Sequence, residues 1–230
     1  MVKVTKRRKT ILENIDRSKR WGLSEAVDVV KKNATAKFDE SVEIHIHLGI
    51  DPKKTDQQVR GTTVLPKGLG KTKMVAVVAK GEKVKEAEAA GADFIGDSDI
   101  IEKIQKGWFG FDVLVATPDV MKDLSKLGKV LGPKGLMPNP KAGTVTFDIG
   151  RTVKELKSGR IEFKTDDSGN LHAAVGKVSF ETGALSENIQ AVLHAVLNAK
   201  PSTAKGTYIR SVTLTSTMGA GVRLAHETVV

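Results

Sequence analysis

The sequence predicts a mixed α/β (α+β) protein of two domains, an open-faced antiparallel sheet with helices interrupted by a parallel α/β insert. Three observations carry this. Apolar and polar residues alternate from Val42 to Leu48, the period of a strand with one face in a core and one outside. From about residue 72, short continuous apolar runs alternate with helical stretches, as in a parallel sheet covered on both faces. After Gly159 the alternating pattern returns.

In chain order, LSEAVDVVKKNA reads as a helix with Ser24 as candidate N-cap and Ala26, Val27 and Val30 inward. Val42, Ile44, Ile46 and Leu48 form the inner row of the next strand, leaving Glu43, His45 and His47 on its outer row. KMVAVVA, ADFIG and FDVLVATP are the strands of the insert, and EKVKEAEAAG, SDIIEKIQKG and DVMKDLSKLGKVLG its helices, a Rossmann-like alternation. Beyond it, Ile161 and Phe163, then Leu171, Ala173 and Val175, alternate on either side of DDSGN, which predicts a hairpin. A helix follows with Ser186 as candidate N-cap and Ile189, Val192, Leu193, Val196 and Leu197 inward. The last strand, YIRSVTLTST, turns Val212 and Leu214 inward and Ser211, Thr213, Thr215 and Thr217 outward. The expected boundaries are 1–67 with 160–230 for the discontinuous domain and 68–159 for the insert. PKGLGK is then one crossing, with Pro66, Gly68 and Gly70, and Gly159 on the return, as hinge positions.

Charge points to a polyanionic partner. The 230 residues hold 37 Lys+Arg against 27 Asp+Glu, a net charge of +10, and the larger share of the surplus lies on the discontinuous domain. The absence of cysteine excludes disulfides, thiolate zinc sites and cysteine nucleophiles. No apolar run approaches a membrane span, and the basic N-terminal segment lacks the apolar core of a signal peptide, so a cytoplasmic protein with no membrane partner is expected.

Gly70-Lys71-Thr72 beside an apolar run has the look of an ATP-binding loop, and a nucleotide-using enzyme with a basic substrate domain is the rival reading. The pattern speaks against it. Leu65 occupies the place of the first glycine, and the loop precedes a strand where a phosphate loop precedes a helix. No G-x-G-x-x-G follows the first strand of the insert, so no cofactor and no enzyme activity are expected. His45 and His47 share a strand face with Glu43 but lack a fourth ligand, so no metal is expected either. LGPKGLMPNPKAGT, from Leu131 to Thr144, is a second glycine-lysine loop whose prolines and glycines forbid regular structure. It reads equally as a rigid surface loop or as a platform presenting Lys134 and Lys141 to phosphates.

KVLGPKGLMPNPKAGTV, AKFDESVEIHIHLGIDPKKTDQQVRGTTVLPKGLGK, GRIEFKTDDSGNLHAAVGK and TSTMG together resemble the family of large ribosomal subunit protein one. The resemblance covers essentially the whole chain, apart from the basic N-terminal tail and the final AHETVV. It implies two domains on two hinge strands, the discontinuous one binding 23S rRNA to form the mobile stalk at the tRNA exit site. It also implies help in releasing deacylated tRNA, repression of translation by binding the protein's own operon mRNA, and a protein that is monomeric when free. A non-ribosomal RNA-binding repressor is the remaining alternative.

An RNA-binding face mixes hydroxyls, amides and lysines, because RNA is held by phosphate charge and read through shape, 2′-hydroxyls and unstacked bases. The ladder Ser211, Thr213, Thr215, Thr217 is either a solvated strand face or such a contact, and the resemblance at TSTMG favours contact for Thr217, Met218 and Gly219. The resemblance also places Lys37, Phe38, Glu40 and Ser41 at the RNA face, Phe38 as a core plug or an RNA platform. Aromatics make up only 4%, so base stacking is not the main mode. His47, Lys164 and His172 complete the candidate face, with Lys134 and Lys141 facing RNA or tRNA from the insert. Thr217 is expected to be a specificity contact without a structural duty.

Overall fold

The computed structural model describes residues 5–16 and 18–225. The elements run α1 (Lys6–Glu13), α2 (Leu23–Asn33), β1 (Ser41–Leu48), β2 (Arg60–Val64), β3 (Val75–Val78), α3 (Glu82–Ala89), β4 (Phe94–Gly96), α4 (Ser98–Gln105) and β5 (Val113–Ala116). They continue with α5 (Met121–Ser125), α6 (Gly128–Leu131), α7 (Ile149–Lys157), β6 (Arg160–Lys164), β7 (Asn170–Lys177), α8 (Thr182–Asn198), β8 (Ile209–Ser216) and β9 (Val222–Arg223). The chain divides into two compact units, Met1–Gly70 with Ile161–Val230, and Lys71–Arg160.

The first unit is built on an antiparallel sheet of order β7-β1-β8-β9. Strand parity decides which side is buried. Ile44 lies opposite Ala173 and Leu214, and these inner rows pack with Ala26, Val27 and Val30 of α2 and Ile189, Val192, Leu193 and Val196 of α8 into one core. Each valine, leucine or isoleucine among them contributes about 1.5–3 kcal/mol on burial. Ile11 of α1 and Ile15 join the same core, so part of the basic N-terminal segment is folded structure.

The second unit has a parallel sheet of order β4-β3-β5. Val75, Val77 and Val115 face Ala87 of α3 and Ile149, Val153 and Leu156 of α7. Ala76, Val78, Leu114 and Ala116 face Ile100 and Ile104 of α4, Leu124 of α5 and Leu131 of α6. Both faces are covered, which is why the strands read as unbroken apolar runs.

Four local expectations are corrected. Helix α2 begins behind Gly22, which is extended (φ −61°, ψ 156°), so Ser24 lies inside the helix and is no cap. Helix α8 begins at Thr182 behind Glu181, and the Ser186 hydroxyl donates to the Thr182 carbonyl at 2.9 Å from within the helix. DVMKDLSKLGKVLG is a 3-10 turn followed by two short helices, the second starting at Gly128. The expected hairpin around DDSGN reduces to a single bridge between Thr165 and Leu171, because β6 pairs with β2 in a separate two-stranded sheet. Thr165 explains the choice: its amide donates to the Val59 carbonyl at 3.0 Å, and its hydroxyl accepts the Val59 N–H at 3.2 Å.

At PKGLGK the chain turns at Pro66-Lys67, with the Gly68 amide donating to the Leu65 carbonyl at 3.0 Å. Gly68, Gly70 and Gly159 have φ of 68°, 73° and 103°, where a side chain is strained. At Gly70 a Cβ would also press within 2.9 Å of Lys177 and Phe180 atoms. The fully buried Asn188 of α8 holds this stretch, accepting from the Lys67 amide and donating to the Gly68 carbonyl, both at 3.0 Å. Lys71 is paired with Asp112 at 2.9 Å, a further departure from a phosphate-loop lysine.

Candidate nucleic-acid interface

The face of the four-stranded sheet away from the core is polar in every row. Ser41 lies opposite Lys177, Glu43 between Ala174 and Thr215, His45 between His172 and Thr213, and His47 between Asn170 and Ser211. The structure thus gathers Ser41, His47, His172, Ser211, Thr213 and Thr215 on one surface. Asn170 and Lys177 belong to it as well and escaped the sequence reading, although Asn170 shares the strand parity of His172.

The imidazoles are organised. His45 Nδ1 stands 2.7 Å from His172 Nδ1 with the rings edge-on, so one donates and the other accepts. His47 Nδ1 donates to Asn170 Oδ1 at 2.9 Å, while Asn170 Nδ2 donates to Asp166. Burial holds the His45 pKa below its ordinary value, the charge of His172 adds to this, and Glu43 opposes it from 3.9 Å.

One corner of the face is a knot of hydrogen bonds. The Thr217 amide donates to the Ser41 carbonyl at 3.0 Å and its side-chain oxygen accepts the Ser41 N–H at 2.9 Å, extending the β1–β8 ladder past Ser216. The Ser41 hydroxyl accepts from Lys177 Nζ at 2.9 Å. Glu40 is only 1% exposed; its carboxylate accepts the amides of Ala36 (3.0 Å) and Met218 (2.9 Å) and faces Arg7 at 3.6 Å. Burial alone pushes the Glu40 pKa up, but the Met218 amide, Ser216, the Ala36 amide and Arg7 outweigh it and hold the carboxyl below its ordinary value. Gly219 is required by space, since a Cβ there would come within 2.5 Å of Ser216 Oγ.

Three expectations change here. Glu40 is an internal brace, with no carboxylate surface to offer a ligand. Phe38 is 56% exposed and is no core plug. Thr217 is exposed, but its hydroxyl oxygen already serves the sheet, so it has a structural duty. Around this knot Lys37, Phe38 and Met218 are exposed.

Lys164 is exposed on β6, in the two-stranded sheet, and is not brought into the polar rows. In the second unit Lys134 Nζ stands 3.5 Å from the centroid of Phe109. Lys141 lies in a 3-10 turn that Asn139 caps by accepting its amide at 2.8 Å. Both lysines are exposed. Among the described residues no helix is long and apolar enough to cross a membrane.

A basic chain presenting hydroxyls, imidazoles, amides and lysines on one uncovered sheet face has the makeup of a protein that binds nucleic acid. A model of the Ribosomal protein L1p/L10e family matches residues 30–220. The chain belongs to that family, and so to the structural proteins of the large ribosomal subunit that bind rRNA.

Proposed function

We propose that the first unit docks on 23S rRNA through the open face of β7-β1-β8 and the corner at Phe38 and Thr217–Gly219, forming the mobile stalk at the tRNA exit site. The observation that carries this reading is the corner itself. A buried carboxylate and a cross-strand threonine hold the backbone of 217–219 rigidly while Lys37, Phe38 and Met218 stay uncovered. Rigid presentation lowers the ordering cost of binding. The same surface takes the protein's own operon mRNA, which makes the chain a translational repressor when rRNA is scarce. Lys134 and Lys141 contact RNA or tRNA from the second unit and assist release of deacylated tRNA. PKGLGK and Gly159 supply the hinge between two domains.

Crosslinking the chain in cells and sequencing the attached RNA tests this. The expected result is one footprint in 23S rRNA and one in the operon leader, each competing with the other in vitro. A footprint unaffected by substitutions at Met218 and Gly219 would overturn the assignment of the face. Saturable nucleotide binding that depends on Lys71 would favour the enzyme reading instead.

A further inference from the structure

Arg20, Arg210 and Arg223 line one cleft of about 220 Å³ with Ser211, Val212 and Leu224, and among the described residues no carboxylate belongs to its lining. Backbone pairing brings these segments together. Leu224 donates its amide to the Val212 carbonyl, and Trp21 donates to the Arg223 carbonyl, both at 2.9 Å. Arg223 lies opposite Thr213, in the row that contains His45 and His172. Arg210 and Arg223 are exposed, and neither forms an ion pair among the described residues. Arg210 and Arg223 bring two exposed positive charges to one cleft, and guanidinium forks match the oxygens of phosphate in pairs.

Ser211 belongs to this cleft and also to the row of His47 and Asn170. The cleft is therefore the end of the polar face opposite the Thr217 corner. At about 3.3 Å per residue, Ser211 and Thr217 lie roughly 20 Å apart along β8, a length that several consecutive nucleotides cover. We propose that this cleft clamps a backbone phosphate of the RNA strand lying along the face, fixing its far end while the Thr217 corner reads its near end. The proposal rests on the RNA reading above and adds a second, sequence-independent anchor to it.

The test is the affinity of the full chain for a 23S rRNA transcript against salt, for wild type, Arg210→Gln and Arg223→Gln, with thermal melts as a folding control. Each Gln variant should bind about five- to eight-fold more weakly at about 0.1 M salt, with a log–log slope shallower by about 0.7–0.9. Arg210→Lys and Arg223→Lys keep the charge and should keep the slope. A wild-type slope retained by both Gln variants would overturn the clamp and leave rRNA binding intact. Failure of the wild type to bind the transcript would overturn the RNA reading itself. Titration with inorganic phosphate, followed through arginine side-chain resonances, separates the remaining source. Saturation by phosphate with RNA slopes unchanged would assign the cleft to a free anion and overturn the proposal.

Discussion

The side-chain oxygen of Thr217 accepts the amide N–H of Ser41 at 2.9 Å, at a point where β8 has ended and the chain is exposed. One residue therefore closes the sheet and stands in the proposed RNA corner. Thr217→Val keeps the β-branch and loses the acceptor, at a cost of about 0.5–1.5 kcal/mol in stability, a few degrees in melting temperature. Affinity for 23S rRNA should fall by more than that, about 1–3 kcal/mol, with the salt slope unchanged because no phosphate contact is lost. Thr217→Ser should restore the melt. A binding loss fully explained by unfolding would assign Thr217 to the fold alone.

Glu40 gives a prediction in pH. Its folded pKa lies below the ordinary 4.5, so the ionised form contributes stability above that value, and the contribution is lost as pH falls from 4.5 through the lower folded value. Glu40→Gln cannot accept with both arms, leaving the Ala36 or Met218 amide unpaired at about 1–3 kcal/mol. Melting curves from about pH 6 to about pH 3 should show a shallower acid decline in the variant. An equal decline would show that other carboxylates carry the acid sensitivity.

His45 acts at higher pH. Its pKa lies below 6.5, so the folded chain takes up this proton less readily than the unfolded chain. Neutral His45 stabilises the fold above pH 6.5, and that contribution is lost as pH drops from 6.5 through the depressed value. Between about pH 7 and about pH 5 the wild type should lose more melting temperature than His45→Gln. Parallel curves would show that protonation of His45 does not set the stability of the fold in this range.

Parity explains what the sequence made legible. Burial of one face forces alternation, so the inner rows of β1, β7 and β8, and with them the outer Ser211, Thr213, Thr215, His47 and His172, followed from counting by two. What escaped depends on partners far along the chain. Glu40 is buried because Met218, 178 residues away, donates to it. Strand β6 leaves its expected hairpin because Thr165 bonds Val59. Helix α7 carried a readable signal, Ile149, Val153 and Leu156 at helical spacing, but lies next to a loop whose glycines and prolines dominate the local pattern.

Asn188 sits among the apolar residues of α8 and bonds three backbone groups, the Lys67 amide and the Gly68 and Val175 carbonyls. Asn188→Leu should fill the space yet leave those groups unpaired, costing about 1–3 kcal/mol. Limited proteolysis should then cut near 66–70 faster than in the wild type. An unchanged cutting rate would show that the turn at Pro66 holds without its anchor.

The core of the first unit contains no residue between Leu65 and Ile161, and β2 pairs with β6, so the chain leaves and returns at neighbouring strands. A short linker joining Gly70 to Ile161 therefore runs from the stretch that follows β2 to β6, its pairing partner, and removing Lys71–Arg160 takes no side chain from that core. The shortened chain should melt in one cooperative transition. It should retain most of the affinity for 23S rRNA, because the polar rows, the Thr217 corner and the arginine cleft all remain. Its salt slope should match that of the full chain unless Lys134 and Lys141 meet phosphates in the free complex, in which case the slope becomes shallower by about 0.7–0.9 for each. Loss of nearly all affinity in a folded shortened chain would mean that the second unit, and not the sheet face, holds the RNA.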